Sequence, residues 1–286
     1  MTDAKAPQIV ALVLSRNAPQ SLARCVSAIT AQTRRPVGIV VVDNASSPPV
    51  EAVALPSDGL PIRVIRSDAN LGPAGGWAIA LRDFVAGGNT HAWVMDDDIV
   101  PEPECLDRLW SAVEDDPSSA FASPVSIQPD GAVGRWGSWC GFVISREIVE
   151  KVGYPMEEFF WWAEDTEYCY WRIPNAGYPL RFIADAVVHH HAIRQGGDLP
   201  TWKYYYESRN MLYYHWHVMH RTGRYPRNFA RLVGRAAVRQ KQTKLRSLLA
   251  IGQGTVDGAF GRLGIRYPIV PLRERQLTTG DKGSRS

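Results

Sequence analysis

The apolar run Ala92 to Met95 leads straight into three carboxylates, Asp96, Asp97 and Asp98. Ionised carboxylates repel, so a folded chain that clusters three of them needs a reason. A divalent cation is one: Mg²⁺ or Mn²⁺ takes hard oxygen ligands and can also hold a diphosphate. There it would neutralise charge growing on a nucleoside-diphosphate leaving group. A solvated turn, or an N-cap for a helix over Pro101 to Val113, is the plain alternative. A second acidic pair, Glu164-Asp165, follows the aromatic run Phe159-Phe160-Trp161-Trp162. It could take the proton of an attacking hydroxyl, or reflect the preference of acids for helix N-termini. His189-His190-His191 stands at the end of an expected strand, where His189 and His191 share one face and His190 takes the other. The three cannot all ligate one ion, which suggests one ligand and two bystanders.

The elements that must position these residues are legible as a nucleotide-binding sheet. Ile9 to Leu14 and Gly38 to Val42 are apolar and β-branched, as in parallel strands buried on both faces. Ile62 to Ile65 and Ala92 to Met95 read as two further strands. Helices are predicted over Pro19 to Ala31, with Leu22, Val26 and Ile29 at helical spacing, and over Gly72 to Ala86, opened by Asn70-Leu71-Gly72-Pro73. Strand and helix alternate in the manner of an α/β fold, with a Rossmann-like, mostly parallel sheet and flanking helices. In such sheets ligands bind beyond the carboxyl ends of the strands. The polar residues lie there: Ser15-Arg16-Asn17, Asp43 and Asp96 to Asp98.

Beyond Pro101 the expectation is a helix to Val113, short strands within 121–145, and short helices over Ile148 to Gly153 and Ala163 to Arg172. A strand over Arg181 to His189 follows, then helix from Trp202 almost to Ala250, broken near Pro226. The chain divides into a catalytic region, 8–220, a basic helical extension, 221–275, and a tail, 276–286, expected to be disordered.

Composition is that of an ordinary globular protein of 286 residues, 45% hydrophobic and 21% charged. Four scattered cysteines without a Cys-x-x-Cys pair speak against a disulfide scaffold and fit a reducing compartment. The N-terminus has no signal-peptide pattern, and no apolar run approaches a spanning helix, so a cytoplasmic protein is expected. The net charge of +3 hides an asymmetry: 221–286 holds 15 of the 32 Lys and Arg but 3 of the 29 acidic residues. Such a balance is a statement about partners rather than fold.

VVDNASS at 41–47, NLGPAGGWAIA at 70–80, WVMDDDIVPEPE at 93–104 and EDTEYCYWR at 164–172 together resemble the family 2 glycosyltransferases of the GT-A fold. The histidines after AVV at 186–188 belong to the same pattern, which spans roughly 8–215. Within that family the chain is most similar to bacterial rhamnosyl- and galactofuranosyltransferases that build cell-envelope polysaccharides. The resemblance implies a role for each residue. Asp43 would accept from a uracil or thymine imide. Asp96 would lie near ribose and diphosphate, and Asp98 would be the surest ligand of Mn²⁺ or Mg²⁺, with Asp96 beside it. Asp97 and Arg16 would support the donor, and Asn70 and Gly72 would line the nucleotide cleft. Asp165 would be the base of an inverting transfer, and Glu164 would orient it or bind acceptor hydroxyls. A metal-binding histidine is implied too; counting from the acidic pair gives His189, counting from Asp185 gives His190, and we take His189.

Trp161, Trp162 and Trp139, with Trp136, could floor an acceptor site or simply pack. Gly75-Gly76 could meet a ligand or serve close helix packing. Arg209 could meet a diphosphate or form an ion pair within its own helix. Arg224, Arg227, Arg231, Arg235 and Arg239 share a helix face opposite Phe229, Leu232, Val233 and Ala236. That pattern suits an anionic leaflet, a partner, or packing with a solvated face. Nucleic acid is not expected, because the body is acidic and no recognised motif accompanies the arginines.

The function read from the sequence is therefore an inverting transfer of rhamnose or galactofuranose. The donor would be a UDP- or dTDP-sugar, and the acceptor a glycan or a polyprenyl-diphosphate-linked saccharide of the cell envelope. Two rivals remain: a non-catalytic scaffold that binds sugar-nucleotide or glycan, and a nucleotidyltransferase. Ser15-Arg16-Asn17-Ala18 lacks the glycine-rich phosphate loop that the last would carry.

Overall fold

The computed structural model describes residues 8–115, 121–135, 137–191, 198–221, 223 and 225–267. The strand β1 (Ile9–Ser15) is buried along its whole length. It lies between β2 (Gly38–Asp43) and β4 (His91–Asp96), parallel to both, and β3 (Ile62–Arg66) extends the sheet beyond β2. This register levels Ser15 with Asp43, and Leu14 with Asp96, so the polar strand ends form one edge. Between these strands run α1 (Pro19–Thr30), which buries Leu22, Cys25, Val26 and Ile29, and α2 (Gly72–Gly87). On α2 a Cβ at Gly76 would fall 2.4 Å from Leu14, and one at Gly75 would fall 2.5 Å from Leu71. Packing therefore accounts for that glycine pair.

The other half of the sheet is mixed. It comprises β5 (Ile99–Pro101), β6 (Phe121–Ile127), β7 (Val133–Gly134), β8 (Cys140–Ser145) and β9 (Arg181–His190). The strand order is β3-β2-β1-β4-β8-β6-β9-β5, with β7 on β6. β8 is antiparallel to β4 and β6, whereas β9 is parallel to β6. A helix was expected to open at Pro101, the last of residues 99–101. These three residues are instead taken as a strand by β9, with Ile99 opposite His190 and Val100 opposite His189. The helix α3 (Cys105–Asp115) starts later, so the acidic triplet is not its cap.

Two more expected helices are subdivided. After α4 (Arg146–Val152), the stretch 163–172 forms the single turn α5 (Glu164–Glu167), then a π-helical turn leading into α6 (Ile173–Asn175). The long C-terminal helix is three: α7 (Thr201–Tyr213), α8 (Tyr225–Arg239) and α9 (Lys244–Ala259). The first break comes before Pro226, which sits in the opening turn of α8, where its missing N–H is not needed. The second falls at 240–243, where Asp198 accepts from the amides of Lys241, Gln242 and Thr243 at 2.7–2.8 Å. These three amides belong to the connection ahead of α9, and one carboxylate serves them all. The tail 276–286 and Trp136 lie outside the described residues.

α9 approaches α7 closely. A Cβ at Gly258 would lie 2.3 Å from the Arg209 carbonyl oxygen, and one at Gly254 would lie 2.3 Å from that of Tyr205. Gly258→Ala is therefore expected to cost about 2 kcal/mol of unfolding free energy through overpacking. Gly252→Ala, with nothing within 4 Å, should gain a few tenths to about 1 kcal/mol from helix propensity. Urea unfolding of both variants measures the contrast, and equal effects would show that the close approach is not tight.

Candidate functional site

At the carboxyl edge of β1 and β4 a cavity of about 250 Å³ opens, lined by Ser15, Arg16, Asn44, Asn70, Gly72 and the triplet Asp96 to Asp98. The three carboxylates differ in surroundings. Asp97 accepts from the Ser15 hydroxyl at 2.6 Å, and burial pushes its carboxyl up to about 7 despite that bond. The carboxyl of Asp96 is pushed well above the usual range, first by burial and then by Asp98, Asp97, Glu164 and Asp165. Asp98 places Oδ2 3.3 Å from His190 Nε2. Its Oδ1 is buried and has no hydrogen-bond partner among the described residues.

The histidine expected at the triplet was His189; the structure brings His190 there instead. His189 puts Nε2 3.2 Å from Glu102 Oε1. The reason is the β5–β9 register: Ile99 pairs with His190, which sets that ring beside the neighbouring Asp98, while the pleat turns His189 to the other face. Among the described residues no group of three or more His, Cys, Asp or Glu is gathered as a metal cluster. The atoms that suit a cation are the unpaired oxygen of Asp98 and the ring nitrogen of His190. Further ligands would have to come from donor phosphates, water or a movement of Asp96.

The structure separates Asp43, expected at the nucleotide, from the cavity wall. Asp43 is fully buried, and it accepts from the amides of Ser46 at 2.8 Å and Val50 at 3.0 Å and from Arg66. Burial alone would raise its carboxyl; the bonds from Ser46 and Val50 and the charge of Arg66 together hold it below the usual value. What faces the cavity is the next residue, Asn44. Asn44 accepts from the Leu71 amide and donates to the Gly72 carbonyl, both at 2.9 Å. Asn70 accepts from the Gly72 amide at 3.0 Å. Gly72 has φ +68°, and a Cβ there would sit 1.9 Å from the Phe160 carbonyl oxygen. A side chain is thus excluded on both counts, and the close approach is to this chain's own backbone.

That contact docks the second acidic pair. Phe160, Trp162 and Ala163 have φ of 61°, 75° and 71°, which is costly backbone for residues other than glycine. It is held by two side chains of α7. Asn210 Nδ2 donates to the carbonyls of Phe159, Trp161 and Trp162 at 2.8–2.9 Å. Arg209 is wholly buried and donates to Glu158 at 3.1 Å, Phe159 at 3.0 Å and Gly264 at 2.5 Å. Arg209 is therefore neither a phosphate ligand nor half of an intrahelical pair; it clamps the loop that presents the acids.

The loop delivers Glu164 and Asp165 as the first turn of α5. Glu164 is buried, with Oε2 unpaired among the described residues, and burial followed by the Asp165 charge pushes it up to about 8. Asp165 is more open; it accepts from the Thr166 amide at 2.6 Å, and burial raises its carboxyl. The expected aromatic platform divides. Trp162, 40% exposed, lies 5.1 Å from Trp161, ring to ring. Trp139 instead stacks at 4.8 Å on the buried Trp77, so it belongs to the core and offers no surface to an acceptor.

The Glycosyl transferase family 2 model matches residues 11–172, more than half of the chain. The galactofuranosyltransferase GlfT1 of Mycobacterium tuberculosis (strain ATCC 25618 / H37Rv) is 39% identical over 95 residues, 32% of this chain and 30% of that protein. GlfT1 of Mycolicibacterium smegmatis (strain ATCC 700084 / mc(2)155) is 32% identical over 90 residues, with the same coverage. The match thus spans less than a third of these relatives' length. Among solved structures, S. aureus TarS 1–349 in complex with UDP-GlcNAc superposes with a TM-score of 0.55 at 12% identity, covering 89% of this chain and 73% of that one. GalNAc-T7 with UDP, GalNAc and Mn²⁺ gives 0.52 at 16% identity, covering 68% and 45%. At these identities the likeness shows the fold, which is GT-A.

Two outcomes follow from the clamp and the acids. Asn210→Ala would free three carbonyls and release strained backbone, so a loss of about 2–3 kcal/mol in unfolding free energy is expected. An unchanged stability would show that the loop holds without the clamp. Glu164, with a carboxyl raised from 4.5 to about 8, binds its proton more tightly folded than unfolded. Its contribution is full below about pH 4.5 and is lost as pH rises toward 8. Melting temperatures of the metal-free protein should fall across that window, and Glu164→Gln should flatten the fall.

Proposed function

The chain belongs to glycosyl transferase family 2, and from that premise we propose that it moves a sugar from a UDP- or dTDP-sugar to an acceptor hydroxyl with inversion. One observation carries the reading: the acids at the end of β4 and those opening α5 share one site, close enough that Glu164 and Asp165 raise the Asp96 carboxyl. Such a site has a donor side and an acceptor side. The acceptor oxygen attacks the anomeric carbon, the bond from that carbon to the diphosphate oxygen breaks, and the hydroxyl proton passes to Asp165. Asp165 suits this step because it is the more open of the pair and burial makes it a stronger base than a free carboxylate. Glu164, carrying a proton through most of the neutral range, keeps a second full charge away from Asp165 and can donate to an acceptor oxygen.

Asp98 and His190 would hold Mn²⁺ or Mg²⁺, with Asp96 toward the ribose and diphosphate; the cation would offset charge on the departing nucleoside diphosphate. Mn²⁺ accompanies UDP in the GalNAc-T7 structure, which supports the choice of ion. Asp97, fixed by Ser15, and Arg16, Asn70 and Gly72 form the donor wall. Asp43 serves the base through the 44–50 loop that it ties. Trp161 and Trp162 stand beside the base as a platform for an acceptor saccharide. The partial likeness to GlfT1 favours galactofuranose over rhamnose, and a lipid-linked glycan of the cell envelope as acceptor. Among the described residues no helix is long and apolar enough to cross a membrane; a lipid-linked acceptor would be met at a bilayer surface.

The test is donor turnover by the full chain with Mn²⁺ or Mg²⁺. Asp165→Asn should lower kcat by roughly 10²–10⁴ while metal-dependent stabilisation by UDP persists. His190→Ala should lose that stabilisation and His189→Ala should keep it. The reverse pattern for the two histidines, or turnover untouched by Asp165→Asn, overturns the assignments.

A further inference from the structure

The helix α9 buries Ser247, Ala250, Ile251, Gly254, Asp257 and Gly258 on one side. On the opposite side, Leu245, Leu249, Val256 and Phe260 are 69%, 65%, 50% and 72% exposed. At 3.6 residues per turn these four fall on an arc of about 60° and a length of about 22 Å. This is an apolar stripe, not scattered surface leucines. Lys244 and Arg246, both exposed, flank it on either side of the helix, and the Arg262 guanidinium lies 5.3 Å over the Phe260 ring at its end. Asp257 is the only carboxylate in 225–267, and it is buried, accepting from Tyr205 and Arg266 at 2.8 Å. The rim of the stripe is therefore cationic: no exposed acid within 225–267 offsets it, and Asp198, ahead of α9, is engaged by the amides of Lys241, Gln242 and Thr243.

The arginine row on α8, expected to be the membrane-facing element, is differently used. Its apolar face is spent on packing, with Leu232 and Ala236 buried against Tyr204 and Ile251. Arg235 turns inward to pair with Glu207. Arg227, Arg231 and Arg239 are exposed and add positive charge beside α9.

We propose that the α9 stripe of Leu245, Leu249, Val256 and Phe260 inserts at the surface of an anionic lipid bilayer. Charge selects this occupant. A second copy of the chain would bring one cationic rim against another, whereas an anionic leaflet pairs with the rim and accepts the stripe in its acyl boundary. The helix would lie in the plane of the interface, and its buried side would keep its hold on α7. This deepens the proposed function, and it rests on a lipid-linked acceptor for its purpose.

The experiment is co-sedimentation of the full chain with vesicles of phosphatidylcholine alone and of phosphatidylcholine mixed equally with phosphatidylglycerol. UDP- and Mn²⁺-dependent thermal stabilisation is measured on the same samples. Binding is expected to the mixed vesicles alone, to weaken with salt, and to fall at least about tenfold in Leu249→Ser/Phe260→Ser. UDP stabilisation should be unchanged in that variant, which shows that it is folded. No binding to mixed vesicles, or binding that the variant retains in full, overturns the proposal. So does a wild-type dimer that the variant dissolves without any vesicle binding. Vesicle binding by a chain that ignores UDP would leave this inference standing and sink the functional reading instead.

Discussion

Five carboxylates, Asp96, Asp97, Asp98, Glu164 and Asp165, share one partly enclosed site, and their repulsion is the constraint that the surrounding fold has to meet. Burial raises four of them and their mutual charge raises Asp96 and Glu164 further. A flexible loop would relieve this by splaying apart. Here the triplet follows a strand buried between β1 and β8, and Ser15 anchors its middle member. Asp98 is pinned by the main chain as well, because its carbonyl accepts from the His191 amide at 2.8 Å. The acids are thus held together by the fold, a repulsion that a cation and a protonated Glu164 would relieve in complementary ways.

The second half of the constraint falls on backbone rather than charge. Presenting Glu164 and Asp165 at that position requires three non-glycine residues at positive φ within four positions. Such strain persists only where surrounding contacts over-determine it. Asn210 and Arg209 supply them from one side and the Gly72 contact supplies another, so donor loop and base loop lean on each other. A change at Gly72 would therefore disturb Asp165, the proposed base, as well as the cavity wall.

Much of this was legible in the sequence, and what was not has physical causes. The parallel strands β1, β2 and β4 announced themselves as apolar runs because both their faces are buried, and the polar strand ends marked the cavity. The acidic triplet and pair stood out by type. His190 was not separable from His189, since a strand shows which residues alternate but not which face meets the partner; that was fixed by β5, a three-residue strand whose last residue, Pro101, reads as the start of a helix. The Arg209-Asn210 clamp was invisible because its partners are carbonyl oxygens, which every residue carries. Trp139 looked like Trp161 and Trp162 in the sequence, and only its stack on Trp77 assigns it to the core. The signal that could have found the clamp was a charged residue one turn after two aromatic ones on the same helix: Tyr205 and Tyr206, over whose rings the Arg209 guanidinium lies at 5.5 and 4.8 Å.

The same helix links the chemistry to the outer surface. Arg209 and Asn210 reach from α7 to the loop that carries Asp165, while the backbone of Tyr205 and Arg209 receives Gly254 and Gly258 of α9. Tyr205 adds a buried hydrogen bond to Asp257 on that helix. Backbones in such close approach move together, since interiors packed at this density transmit displacement rather than absorb it. The loop that carries Asp165, α7 and α9 are therefore packed as one piece, with Asp165 on one side and the exposed leucine and phenylalanine stripe on another. For a soluble acceptor that coupling would have no use. For an acceptor whose lipid end stays in a bilayer, and with α9 on the bilayer as proposed, it would set the distance between the membrane surface and Asp165, and with it the length of saccharide that reaches this residue.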